Sequence, residues 1–115
     1  SADALVPLIV KLIEPRSVVD IGCANGIWLS AFERNGVAEM MGVDGPWVPE
    51  DRLRIDPKRF CKVDLGNAPL PYDVGADRRF DMLLSLELLE HLPSERADHM
   101  LDLMCRLSDV LVLSA

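Results

Sequence analysis

Short apolar, β-rich runs alternate with amphipathic helical patterns along the whole chain, and few architectures accommodate that order. Residues 4–13 place Leu5, Leu8, Ile9, Leu12 and Ile13 at helical spacing, with Asp3 as N-cap and Pro7 in the tolerant first turn. Glu14-Pro15 ends that helix. Ser17 to Ile21 is a first strand, broken by Gly22. A second helix runs from Ile27 to Asn35, presents Ile27, Trp28, Ala31 and Phe32 to one side, and stops at Gly36. Met40 to Val43, Phe60 to Val63, Phe80 to Ser85 and Val110 to Leu113 read as four more strands. A turn region covers Gly66 to Pro71, and a third helix opens at Pro93-Ser94 with a stripe of Ala97, Met100, Leu101, Met104 and Leu107. Short strands separated by helices need a parallel sheet covered on both faces, and right-handed crossovers make it doubly wound.

Composition narrows the class. The 115 residues are enough for one domain, here taken as residues 1–115, with half of them hydrophobic and 27% charged. A net charge of −7 repels phosphate backbones and anionic lipid, so neither nucleic acid nor a membrane surface is expected as a partner. No apolar run reaches membrane-spanning length, and no signal layout opens the chain. Cys23, Cys61 and Cys105 are odd in number and far apart, which reads as reduced thiols in a cytoplasmic protein.

In a doubly wound sheet, ligands bind beyond the carboxyl ends of the strands. Strand one ends in Asp20-Ile21-Gly22-Cys23-Ala24-Asn25-Gly26 and leads straight into a helix. Small residues there admit a ligand close to the backbone, and Asp44, at the end of strand two, is placed to accept ribose hydroxyls. A tight β–α turn with a surface Asp would carry the same residues. The dinucleotide fingerprint does not fit, because Ala24 and Ile27 stand where glycines are needed. Asp20 would also repel a pyrophosphate. A nucleoside bearing a positive charge suits this loop better.

VVDIGCANG at 18–26, GVDG at 42–45, VDL at 63–65 and FDMLLSLELLEHL at 80–92 occur in an order that resembles the motifs of class I S-adenosylmethionine-dependent methyltransferases. The resemblance covers essentially the whole chain. It implies a Rossmann-like sheet of order 3-2-1-4-5, without the final strand pair usual in the class, and S-adenosylmethionine as cofactor. By the same resemblance, Asp20 with Gly22, Cys23, Ala24 and Gly26 holds the methionine part. Asp44 and Gly45 serve the ribose, Asp64 and Leu65 flank the adenine, and Ser85 to Glu87, including Leu86, completes the pocket. Ala24 departs from the commoner middle glycine, which implies a less tolerant loop.

Glu87, Glu90 and His91 stand at i, i+3 and i+4 after the fourth strand, and on one helical turn they would share a face. His91 is then the expected general base, oriented by Glu87 or Glu90. The same E-x-x-E-H pattern resembles the metal-ligand segment of small-RNA 3′-terminal 2′-O-methyltransferases. His99, the only other histidine, lies on the next helix among charged neighbours, so no metal is expected. A structural histidine is the third reading. Trp47 either covers the adenosine or caps the core, and Trp28 reads as core. Five basic residues between Arg52 and Lys62 suit an anionic acceptor or a solvated loop.

The expected function is methyl transfer to a small molecule such as a sugar or other metabolite. The alternative is a non-catalytic or truncated cofactor-binding module that needs a further segment or a partner, because the fifth strand would leave an edge open to another chain. A nicotinamide oxidoreductase is the third class, opposed by the glycine spacing and Asp20.

Overall fold

The computed structural model describes residues 1–67 and 78–114; most of the turn expected at Gly66 to Pro71 lies outside them. Helix α1 spans Ala2–Ile13, strand β1 Ser17–Ile21, helix α2 Ile27–Arg34 and strand β2 Glu39–Asp44. Strand β3 spans Phe60–Lys62, β4 Met82–Ser85, helix α3 Ser94–Leu107 and β5 Leu111–Leu113. All strand pairings are parallel and the order is β3-β2-β1-β4-β5, as the motifs imply.

β1 is the central strand and buried throughout. Its side chains alternate between the two faces. Val18 joins Val6, Leu29, Phe32, Met82 and Leu84 beneath α1 and α2. Val19 and Ile21 join Val43, Leu83, Met100, Met104 and Leu107 beneath α3. Both faces are dry, so an aspartate in the middle of β1 stands out at once: Asp20 is 3% exposed. The chain crosses from β3 back to β4 on the other side of β1, which leaves a crevice beyond the carboxyl ends of β1 and β4.

Several side chains sit differently from the sequence reading. In α1 the buried positions are Ala2 and Val6, with Ile9 and Val10 half-buried against the core, while Leu5, Leu8, Leu12 and Ile13 are exposed. Asp3 caps nothing; it pairs with Arg34 of α2 at 2.9 Å, and Ser1 is the N-cap residue. α2 buries Leu29, Ala31 and Phe32 and leaves Ile27 exposed. Leu101 of α3 is also exposed. Among the described residues no helix is long and apolar enough to cross a membrane.

Candidate functional site

The loop after β1 is built on left-handed backbone. Gly22, Ala24 and Gly26 have φ of 84°, 51° and 83°. A methyl on Gly26 would approach Ile55 at 3.1 Å, and one on Gly22 would reach Leu88 at 3.3 Å. Glycine is needed there for conformation and for space. Ala24 adopts the same region with a Cβ, at a cost of about 1 kcal/mol.

The loop is held in place from β2. The Asp44 carboxylate accepts the Ala24 N–H at 2.6 Å and its own neighbour's N–H, from Gly45, at 2.7 Å. Val43 O accepts the N–H groups of Gly22 and Cys23, and Asn25 O accepts from Arg54. Each Asp44 oxygen keeps lone-pair capacity for a further donor. The sequence leaves Asp44 either a ribose ligand or a surface Asp beside a tight turn; its role in bracing the loop needs the register of β1 against β2. Ile55 and Arg54, from the stretch with no regular strand, were missed because nothing local marks them as loop supports.

A cavity of about 470 Å³ opens at the crevice, lined by Leu5, Asp20, Gly22, Cys23, Ala24, Ile27, Trp28, Leu86, Glu87 and Ser114. Its floor is Asp20 and the glycine loop. No described residue donates a hydrogen bond to the Asp20 carboxyl. Burial, and then the nearby Asp44 charge, push its pKa up to about 8. Burial also pushes the Cys23 thiol up, away from the reactive thiolate. Among the described residues, two carboxylates and no cationic side chain line the cavity.

Ser85 and Leu86 divide their roles. Ser85 is buried, and its hydroxyl donates to Ile21 O at 2.8 Å, tying the ends of β4 and β1 together. Leu86 lines the cavity and packs on the core. Glu87 adopts φ of 56°, and its N–H donates to Ser114 Oγ at 2.9 Å.

The other sequence candidates lie elsewhere. Glu87, Glu90 and His91 do not share an α-helical turn: a three-residue 3₁₀ turn covers Leu89–His91, and Glu87 precedes it in left-handed backbone. The His91 side chain is 73% exposed, with Glu90 Oε1 3.7 Å from Nε2, and neither residue lines this cavity. Among the described residues no group of three His, Cys, Asp or Glu is placed to hold a metal ion, and His99 is exposed. Asp64 accepts from Gly66 N and Asn67 Nδ2, and Leu65 is a core residue beneath α3. Trp47 is 63% exposed, lies over Gly45 and lines a second recess with Ala24, Asn25, Val48, Pro49 and Arg52. Trp28 reaches both the core and the first cavity. In the basic stretch, Arg59 pairs with Glu33 and Lys62 with Glu50, and Lys62 holds the exposed Glu50 carboxyl below its usual range.

Comparison with known proteins agrees with this fold. The N-terminal domain of EvdMO1, solved in the presence of SAH and D-fucose, superposes with a TM-score of 0.78 at 17% identity, over 99% of this chain and 50% of that one. The methyltransferase domain of bacterial CtHen1-C gives 0.71 at 21% identity, over 96% and 62%. An O-methyltransferase family protein from Burkholderia thailandensis gives 0.66 at 17%, over 97% and 39%. The chain thus spans about half the length of the first of these structures. No curated protein matches in sequence. The family model described as a methyltransferase domain matches residues 2–110, and the chain belongs to that family.

Proposed function

We propose that the chain binds S-adenosylmethionine and serves methyl transfer to a small-molecule acceptor. The observation that carries this reading is a buried carboxyl, Asp20, in the central strand, lining a cavity with no cationic side chain among the described residues. A buried acid without a counter-charge is costly unless the ligand brings one, and the cofactor's ammonium does. SAH in the crystals of the EvdMO1 domain and of the plantazolicin methyltransferase BpumL supports the same reading. When bound, the cofactor supplies a methyl group already activated on a sulfonium.

The chain's own residues then have to bind and orient. Asp20 takes the ammonium, and the left-handed loop gives close backbone access. The free lone pairs of Asp44 accept ribose hydroxyls, with Gly45 beside it. Asp64 is assigned to the adenine side by the motif resemblance, with Leu65 supporting it from the core beneath α3. On the acceptor side, Glu87 is the member of the Glu87, Glu90 and His91 trio that lines the cavity, and it is assigned the contact with the acceptor. The general-base role of His91 rests on the sequence pattern; His91→Asn with unchanged turnover rejects it. The edge of β5 and a cytoplasmic setting for the reduced cysteines complete the proposal.

Calorimetry with SAH tests the reading. Micromolar binding that drops at least tenfold in Asp20→Asn is expected, and no binding by the wild-type chain rejects it. SAH binding without methyl transfer across a broad acceptor screen would favour the cofactor-binding module, since the structural neighbours are longer than this chain.

A further inference from the structure

We infer that the acceptor is a flat, largely apolar molecule carrying an uncharged hydrogen-bond donor, and that Leu5, Ile27, Trp28 and Leu86 form its wall. This rests on the methyltransferase reading above and narrows its acceptor class.

The cavity lining is of two chemical kinds. One is the Asp20 floor and the glycine loop, already assigned to the cofactor. The other is made by three separate chain segments: Leu5 of α1, Ile27 and Trp28 at the start of α2, and Leu86 after β4. Leu5 is 48% exposed and Ile27 43%, although the core beneath α1 and α2 is well filled by their neighbours Val6 and Leu29. Apolar side chains from three segments, left open around one recess, form a surface that a ligand covers.

The polar groups on this side select against the alternatives. Glu87 and Ser114 are the polar side chains there among the described residues; Glu87 is in left-handed backbone, and its N–H donates to the Ser114 hydroxyl. A carboxylate accepts a hydrogen bond from a hydroxyl or amine but repels an anion. An acidic or phosphorylated acceptor would meet Glu87 with no Lys, Arg or His among the described lining residues. A sugar would bring a ring of hydroxyls to a wall whose described residues offer two polar side chains, and most of the hydroxyls would find no partner among them. The basic residues between Arg52 and Lys62 do not rescue an anionic acceptor. None of the five lines this cavity: Arg59 and Lys62 are paired with Glu33 and Glu50, and Arg52 faces the other recess. An aromatic or alicyclic body on Leu5, Ile27, Trp28 and Leu86, with its hydroxyl or amine toward Glu87, satisfies every group named.

Binding of 2-naphthol, 2-naphthoate and glucose 6-phosphate to the full chain saturated with SAH tests this. 2-Naphthol is expected to bind at least tenfold more tightly than either anion. Leu5→Gln should weaken it about tenfold. Leu12→Gln, on the same helix but outside the cavity, should change it less than twofold. SAH binding with glucose 6-phosphate or 2-naphthoate equal to 2-naphthol overturns the inference and leaves the cofactor reading standing. Equal losses in the Leu5 and Leu12 variants also overturn it, because the naphthol would then be reporting a general apolar surface or a second copy on α1. Failure of SAH itself to bind removes the cofactor reading first.

Discussion

Asp20 sets the balance between stability and binding at the scale of single residues. Its pKa is raised from 3.8 in the unfolded reference to about 8, so the folded chain holds more protons than the unfolded one between those values. Stability therefore falls as pH rises from about 4 to about 8 and levels off beyond. Asp20→Asn removes the effect, and its denaturation midpoint should exceed the wild type's at pH 8 and approach it at pH 4. Cofactor binding runs the other way, because an ammonium partner needs the ionised carboxylate. SAH affinity should rise by up to about tenfold per pH unit between pH 6 and 8 in the wild type and stay flat in Asp20→Asn. A flat wild-type profile would disprove the pairing. A variant that is more stable and binds less is the usual signature of a site residue kept at a structural cost. Ala24 belongs to the same scale. At φ of 51° its methyl is strained, so Ala24→Gly should leave stability within about 1 kcal/mol of wild type or raise it. Gly26→Ala should lose about 1–2 kcal/mol from backbone strain and the approach to Ile55, as measured by urea denaturation.

Between elements, the site depends on two cross-links that no local pattern reveals. Ser85 ties β4 to β1 through a buried hydroxyl, and Ser85→Ala should cost about 1 kcal/mol while leaving Ile21 O without its side-chain donor. Asp44 braces the loop through the Ala24 N–H. Asp44→Asn keeps the size but turns a donor-NH₂ toward one of those N–H groups, so loop order and SAH affinity should fall together. Hydrogen exchange at Ala24 is the measurement that separates loop loosening from loss of ribose contacts. The trio at 87–91 illustrates how spacing misleads. A separation of i, i+3, i+4 puts side chains on one face only if the backbone is α-helical. Here a 3₁₀ turn covers only Leu89–His91, and Glu87 lies before it at positive φ, so Glu87 reaches the cavity and His91 points to solvent.

For the molecule as a whole, α1 carries the sharpest difference between pattern and packing. Its sequence is apolar nearly all round, so the stripe Leu5, Leu8, Ile9, Leu12, Ile13 and the stripe Ala2, Val6, Ile9, Val10 both have helical spacing. Only the position of β1 and α2 decides which one is buried. The exposed stripe predicts a surface effect: Leu8→Gln with Leu12→Gln should raise solubility and change stability by less than about 0.5 kcal/mol, by thermal melting and precipitation assays. Strand order is the opposite case. Apolar strands alternating with helices admit a doubly wound parallel sheet, and the order of the motifs carried the rest to β3-β2-β1-β4-β5.

From sequence alone, the alternation of periods settles the fold class, because strands buried on both faces read as short, mostly apolar runs and the helices that cover them repeat apolar residues at helical spacing. The glycines and acids at 20–26 and 44 likewise mark the loop, since positive φ and a carboxylate at a strand end leave local chemical traces. What the tertiary structure alone decides is which groups converge. The burial of Asp20, the bracing of the loop by Asp44, and the apolar wall of Leu5, Ile27, Trp28 and Leu86 join residues far apart in the chain. Their energies depend on distance and solvent exclusion, and neither is written in the order of the residues.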